Sequence, residues 1–386
     1  MTIKSIQPGE TLGVMGGGQL GRMFVHAAQR MGYFTAVLDP DADSPAGRVS
    51  HRHVHADYLD EKGLAELAGC SAAITTEFEN VPAPALANLA KLKPVAPGAA
   101  AVEIAQDRAR EKAHFTRCGV ACAPYAVIET RQQLDAIAPA LLPGILKTAR
   151  LGYDGKGQQR VSTHAELAAA WEDAKGVPCV LEKLLPLAAE CSVIVARGAD
   201  GVMVHLPPQL NLHRNGILAV TEVWDGNLPP AQAQQAIAAT RSIAQGLDYV
   251  GVLCVEFFVL GDGALVVNEM APRPHNSGHW SMDGSDVSQF ELQVRTLAGL
   301  PLTAPRQHSA SVMLNLLGDL WFDNGAPRMP PWQAVLQLPG AHLHLYGKLS
   351  ARPGRKMGHL NLTAGTAPQA RETALAAAAL LGIDAF

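Results

Sequence analysis

No run in this chain of 386 residues approaches the roughly 20 apolar residues that a membrane-spanning helix requires, so no span is expected. The first residues, Met1-Thr2-Ile3-Lys4-Ser5-Ile6-Gln7-Pro8, hold no apolar signal core, and the default location is cytoplasmic. The six cysteines (Cys70, Cys118, Cys122, Cys179, Cys191, Cys254) form no CxxC pair. Most sit in apolar runs and read as small buried hydrophobes, and Cys118 with Cys122 lacks a second ligand pair for zinc. A net charge of −4 leaves no overall field to draw nucleic acid or an acidic membrane, so any phosphate recognition has to be local. There is no Walker GK[ST], no internal repeat and no low-complexity tract.

What is present is core-forming material. Hydrophobic residues make up 48% and charged residues 17%, with aromatics at 5%, while 36 glycines and 26 prolines imply many tight connections. The length calls for two or three domains. The first third alternates strand and helix: Thr11–Met15, Gln19–Met31, Phe34–Leu38, Glu61–Ala68, Ala72–Thr75, the βαβ rhythm of a parallel sheet. A helix capped by Asp107 follows. The middle mixes strands (Gly144–Ala149, Pro178–Leu185, Cys191–Ala196, Gly201–Leu206) with helices at Thr163–Ala174, Ala231–Gln245 and Ser288–Leu297. Pro301–Pro305 reads as a linker to short strands (Ser311–Leu317, His342–Tyr346, Gly358–Leu362) and a terminal helix, Gln369–Leu381.

The segment Val255–Glu269 carries the most chemistry. Two β-branched-rich runs flank Asp262-Gly263, a two-residue hairpin signal. That turn sets Glu256 opposite Glu269, with Cβ atoms roughly 4.5–5.5 Å apart, where bare like charges destabilise a sheet. A hard cation with oxygen ligands, most simply Mg²⁺ carrying a nucleotide, resolves the conflict. The bland alternative is a sheet edge with two solvated glutamates.

Other candidates surround it. Gly16-Gly17-Gly18-Gln19-Leu20-Gly21 fits GxGxxG, with Asp39 ending the next strand; a dinucleotide, another ligand and a plain tight turn all remain open. Lys147 precedes the loop Gly152-Tyr153-Asp154-Gly155-Lys156-Gly157-Gln158, which either covers phosphates or is an ordinary hairpin loop. Glu182-Lys183-Leu184-Leu185 and Glu190 mark a strand end whose exposed backbone could read a purine, though solvated glutamates suffice. Arg273, His275, Asn276, Ser277 and His279 crowd a Pro/Gly segment beside Glu269. Lys348, Arg352, Arg355 and Lys356 form a basic turn suited to a phosphate monoester, or merely solvated.

In this order the pieces resemble the ATP-grasp superfamily. Within it they resemble the 5-(carboxyamino)imidazole ribonucleotide synthases of purine biosynthesis. The motifs are GGGQLGRM (16–23), TEFENV (76–81), GYDGKGQ (152–158), NEMAPRPHNSGH (268–279) and RPGRKMGHLNL (352–362), spanning nearly the whole chain. The resemblance implies an α/β and α+β architecture: a Rossmann-like domain over 1–106, an ATP-grasp domain over 107–300 with a mobile lid at about 120–185, and a small domain over 301–386. It implies ATP, Mg²⁺ and bicarbonate, no biotin, aminoimidazole ribonucleotide as substrate, and a homodimer without nucleic-acid or membrane partners. By resemblance, Arg108 and Lys147 would contact ATP phosphates under the Gly152–Gln158 lid. Glu182–Leu185, Glu190 and His213 would hold adenosine, and Glu256 and Glu269 the metal, beside Asn268. Gln19, Leu20, Glu77 or Glu79, Ser277, Lys348, Arg355 and Lys356 would contact the ribonucleotide. Arg273, His275, Asn276, Tyr153 and Lys156 would surround bicarbonate and the amine. Lys156 stands where relatives often have arginine; the lysine keeps the charge but loses the planar fork. The rival from another class is an NAD-dependent oxidoreductase using the glycine motif and Asp39; a third reading is a regulatory nucleotide-binding subunit. Formate-dependent glycinamide ribonucleotide transformylase and biotin carboxylase share the ATP machinery.

Overall fold

The computed structural model describes residues 5–150, 152 and 157–386. Tyr153, Asp154, Gly155 and Lys156 lie outside the described residues.

Strands β1 (Thr11–Met15), β2 (Phe34–Asp39), β3 (Arg52–His55) and β4 (Ala73–Thr76) form a parallel sheet in the order β3-β2-β1-β4. The near-continuous burial of β1, β2 and β4 follows from cover on both faces, whereas edge strand β3, Arg52-His53-Val54-His55, buries only Val54 and was not expected from its sequence. One face packs Leu12, Val14 and Val37 against Phe24 and Val25 of helix Gln19–Arg30; the other packs Met15 and Leu38 against Leu64, Leu67 and Leu86.

A second, antiparallel sheet joins β5 (Tyr125–Ile128), β6 (Gly144–Thr148), β7 (Gln158–Val161) and β8 (Cys179–Lys183) in the order β5-β8-β6-β7. Leu146, Val161 and Leu181 pack on Leu167 and Ala170 of helix His164–Asp173, which Thr163 caps by accepting from the Glu166 N–H.

The central sheet contains β9 (Leu187–Arg197), β10 (Met203–His205), β11 (Gln209–Arg214), β12 (Ile217–Val223), β13 (Gly251–Leu260), β14 (Leu265–Ala271) and β15 (Ala310–Leu317). After a short ribbon of β16 (Phe322–Asp323) and β17 (Ala326–Pro327), strands β18 (Ala341–Leu345) and β19 (Lys356–Ala364) return to it. The order is β14-β13-β9-β11-β12-β15-β19-β18, with β10 beside β9. The segment beyond Pro305 therefore adds three strands to this sheet through the β12–β15 pairing. Its far end is closed by helix Ala367–Leu381, whose alanines 370, 374, 377 and 378 sit on Leu314, Leu316, Leu360 and Leu362.

Three expectations need correction. Strands β11 and β12 carry no expected element, because Gln209, Asn211 and Thr221 point polar side chains inward and obscure the apolar alternation. Helices Ala83–Ala90 and Ala99–Ala105 were likewise not anticipated. The hairpin loop has three residues, Gly261-Asp262-Gly263: Gly263 (φ +86°) donates to the Leu260 carbonyl and Leu260 donates to that of Ala264. This is a turn closed by a left-handed glycine. It offsets the register by one, and a bulge takes the offset back: Phe257 pairs with Val267 whereas Glu256 pairs with Glu269, leaving Asn268 as the extra residue. The expected juxtaposition of the two glutamates thus stands, by way of a different loop.

Candidate active site

Glu256 is 9% exposed on the central sheet, and Glu269 lies across from it with its side chain 41% exposed to the cleft. Burial, and then the Glu269 charge, push the Glu256 carboxyl up to about 7. Burial acts the same way on Glu269, but Arg108 and Lys147 outweigh it and hold that carboxyl well below the ordinary range. Arg108 opens helix Arg108–Arg117, and its guanidinium donates to Glu269 at 3.0 Å and to the Gly152 carbonyl at 3.4 Å. Two imidazoles face Glu256 Oε1: His213 Nε2 at 4.0 Å and His275 Nε2 at 3.7 Å. The other His213 nitrogen meets Glu190 at 2.9 Å. Burial would lower the His213 pKa, but Glu190 and Glu256 raise it on balance.

Beside this pair lies a buried triad. Glu182, at the end of β8, takes Lys147 of β6 on Oε2 and Lys112 on Oε1, each at 3.1 Å. Lys112 is 1% exposed, and sequence reasoning missed it. Burial lowers the Lys147 pKa, and the Glu182 charge opposes that without reversing it. The N–H groups of Lys183 and Leu184, expected to be open to a purine, donate instead to the carbonyls of Pro124 and Pro143.

Glu111 adds a third buried carboxyl. It accepts from the Met270 N–H at 2.7 Å and braces the strand carrying Glu269. Burial, then Glu269, raise its pKa to about 8 from an ordinary 4.5. A raised folded-state pKa contributes stability that is complete below 4.5 and disappears as pH climbs through 8. Glu111→Gln keeps the acceptor without the charge. Its unfolding free energy should gain on the wild type by up to about 1.4 kcal/mol per pH unit across that window and level off above it. Thermal unfolding of both proteins from pH 5 to 9 checks this; a pH-independent difference would overturn it.

The glycine motif is closed by the protein itself. Glu77 accepts from Gly18 N–H at 2.6 Å and Gly21 N–H at 2.7 Å, and Asp39 accepts from Gly17 N–H at 2.6 Å and Tyr58 hydroxyl at 2.7 Å. A Cβ at residue 18 would stand 2.4 Å from a Glu77 oxygen. A dinucleotide pyrophosphate would need these same donors. Gln19 starts the helix, and the Leu20 side chain packs on Phe290 and Tyr346. Glu79 is held by the Arg273 guanidinium.

Arg273, His275, Asn276 and Ser277 follow β14. Gln289 fixes the backbone there, accepting from His275 N–H and donating to His275 carbonyl, both at 2.8 Å. Burial, Arg273 and Lys356 hold the His275 imidazole well below its ordinary pKa. Both Asn276 amide atoms and Asn268 Oδ1 are buried without a protein partner. Orphans of this kind belong where a ligand supplies the missing bonds. The basic turn meets the helical side of the first third of the chain: Lys348 donates to the Lys356 carbonyl, Arg355 to Ser350, and Arg48 to the Gly347 carbonyl at 3.3 Å. The Arg22 guanidinium lies against Gly347. Arg22 and Arg48 went unremarked in the sequence, although Arg22 stands three residues after Gln19 in the glycine motif.

Among the described residues no group of three or more His, Cys, Asp or Glu is arranged to hold a metal ion alone. The donor set suits Mg²⁺ differently. Two carboxylates and the Asn268 amide oxygen are hard ligands, Glu256 Oε1 lacks a hydrogen-bond partner, and this ion takes its remaining ligands from phosphates and water.

An antiparallel four-stranded sheet, a central sheet ending in paired glutamates, and buried lysines from β6 and from helix Arg108–Arg117 define an ATP-grasp enzyme. The ATP-grasp domain family matches residues 113–290, the ribonucleotide synthetase preATP-grasp domain 9–106, and the phosphoribosylaminoimidazole carboxylase C-terminal domain 311–373. The chain is 46% identical to the N5-carboxyaminoimidazole ribonucleotide synthase of Brucella melitensis biotype 1, over 92% of this chain and 97% of that one. It superposes on the Staphylococcus aureus N5-carboxyaminoimidazole synthetase complexed with ADP with a TM-score of 0.89 at 35% identity, covering 97% and 99% of the two chains. The Aspergillus clavatus enzyme in complex with ADP and 5-aminoimidazole ribonucleotide gives 0.88 at 29% identity, over 98% and 100%. This chain belongs to the N5-carboxyaminoimidazole ribonucleotide synthase family.

Proposed function

We propose that the protein carboxylates the amine of 5-aminoimidazole ribonucleotide with bicarbonate and ATP, releasing ADP and phosphate, in purine biosynthesis. The observation that carries this reading is the in-register pair Glu256–Glu269, meeting Arg108, Lys147 and His275 in one cleft. Bicarbonate is a poor electrophile, and ATP converts it to carboxyphosphate. That step brings an anion to a polyanion, so the cations at the cleft lower its barrier. Mg²⁺, held by Glu256 and Glu269 beside Asn268, would supply further charge neutralisation on the phosphates. Lys147 and Arg108 would bind phosphate oxygens, and Glu190 with His213 would orient the ribose. Arg273, paired with Glu79, would fix bicarbonate. Lys348, Arg355 and Lys356 would hold the ribonucleotide phosphate. The Gly152–Gln158 loop would exclude water from the labile intermediate. His275 would accept a proton from the attacking amine. We further propose that the reaction uses no biotin, that segments 1–106, 107–300 and 301–386 act as the three domains, and that the protein works as a cytoplasmic homodimer. No helix among the described residues is long and apolar enough to cross a membrane.

A coupled ADP assay with bicarbonate and each candidate ribonucleotide tests the reading. ADP release should require aminoimidazole ribonucleotide; release with glycinamide ribonucleotide and formate instead would overturn it. Because Glu77 and Asp39 already occupy the glycine-loop donors, NADH should show no saturable fluorescence change.

A further inference from the structure

Lys112 is too deeply buried to touch a ligand, yet it shares a carboxylate with a lysine at the cleft. Its side chain is 1% exposed, that of Glu182 4% and that of Lys147 9%. Strand register explains the grouping. Glu182 of β8 stands opposite Tyr125 of β5 on one side and Ile145 of β6 on the other, and Lys147 follows Ile145 by two residues. Tyr125, Glu182 and Lys147 therefore lie on one face of the β5–β8 sheet. Helix Arg108–Arg117 brings Lys112 to that face, while its first residue, Arg108, meets Glu269.

The two lysines do not hold Glu182 alike. Lys147 donates a hydrogen bond to Oε2 at 3.1 Å. Lys112 stands at the same distance from Oε1 without the alignment of a hydrogen bond, and its ammonium lies 5.7 Å from the centre of the Tyr125 ring. Its contact is a charge set against a charge, with an aromatic face as second neighbour.

This division decides what Lys147 can do. A buried carboxylate with a single counter-ion resists giving it up, because the carboxylate would be left bare where water screens poorly. A second ammonium on the other oxygen removes that obstacle, for Glu182 stays compensated when Lys147 turns away.

We infer that Lys112 is a positioning residue for nucleotide binding: by holding Glu182 Oε1 it leaves Lys147 able to turn from Glu182 to a polyphosphate. The inference rests on the reading above that Lys147 meets nucleotide phosphate. It does not depend on which amine is then carboxylated.

Calorimetric titration of the full chain with ADP and Mg²⁺ tests it. Lys112→Met keeps the length of the side chain and deletes its charge. Glu182 then has Lys147 as its one counter-ion, and ADP should bind about 10-fold or more weakly. Adding Glu182→Gln to Lys112→Met removes the carboxylate that retains Lys147, so the double variant should bind ADP more tightly than Lys112→Met alone. A residue that merely braces the fold gives the opposite order, since a second buried substitution only adds damage. Wild-type affinity in Lys112→Met overturns the inference, and so does a folded double variant that binds no more tightly than the single one. Should the double variant not fold, amide exchange decides. Strands β6 and β8 of Lys112→Met should exchange as in the wild type; faster exchange there, alongside weaker binding, would reduce Lys112 to a structural brace. Lys147→Met probes the underlying reading separately. If it binds ADP as the wild type does, Lys147 does not meet phosphate and that reading fails. If it binds weakly while Lys112→Met does not, the reading stands and the role given to Lys112 falls.

Discussion

Glu256→Gln and Glu269→Gln should each release ADP at least about 10²–10³-fold more slowly than the wild type, yet their stabilities should part company. Glu256 is the carboxyl that burial and its like-charged neighbour push up to about 7. In the absence of ligands, neutralising it relieves repulsion, so Glu256→Gln should unfold at or above the wild-type temperature. The margin should widen as pH rises through 7, because a raised folded-state pKa means stability lost on ionisation. Glu269→Gln abandons Arg108, its partner at 3.0 Å, and gains no such relief. Differential scanning fluorimetry without nucleotide, beside ADP release at limiting Mg²⁺, separates the two effects. Wild-type turnover by either variant at low Mg²⁺ would remove the reason for placing a cation between these strands.

The second large effect concerns stability at the lysine–glutamate–lysine triad. Glu182 has both oxygens engaged by buried ammonium groups. Glu182→Gln would strand two cations away from water, and removing one partner from a buried ionic cluster costs about 3–5 kcal/mol. The loss should concentrate in the sheet of β5 to β8, read as faster amide exchange in β6 and β8 and a lower unfolding midpoint. Lys112→Met in the same background should recover part of it, since one stranded charge goes and a side chain of similar length fills the space. A Glu182→Gln protein within about 0.5 kcal/mol of the wild type would show that the triad is solvated rather than buried.

How much of this was legible beforehand differs from residue to residue. The glutamate pair could be read because a glycine turn within fifteen residues reports its own register. Even so, the pairing survived only because a longer loop and the bulge at Asn268 cancel. Three strands of the parallel sheet were readable from apolar runs that burial on two faces makes continuous; edge strand β3, Arg52-His53-Val54-His55, has no such run and was not. Lys112 was not, for it looks like any charge on a helix surface, and its partner is seventy positions away at Glu182. Glu77 was ambiguous for the same reason: the donors that occupy it, Gly18 and Gly21, are set beside it only by the β1–β4 pairing. Strands β11 and β12 escaped notice because a polar interior inverts the pattern on which strand reading depends.

The pairing of β12 with β15 also limits how this protein can be taken apart. A break in the backbone between Leu300 and Pro305 would not liberate two independent modules, since the downstream piece supplies interior strands to a sheet that begins at Leu187. Truncation there would bare the edge of β12 and strip Val220 of its cover. Chimeras that exchange the tail with that of a relative would have to match it to β12 as two halves of one surface, and any drift in one during descent constrains the other.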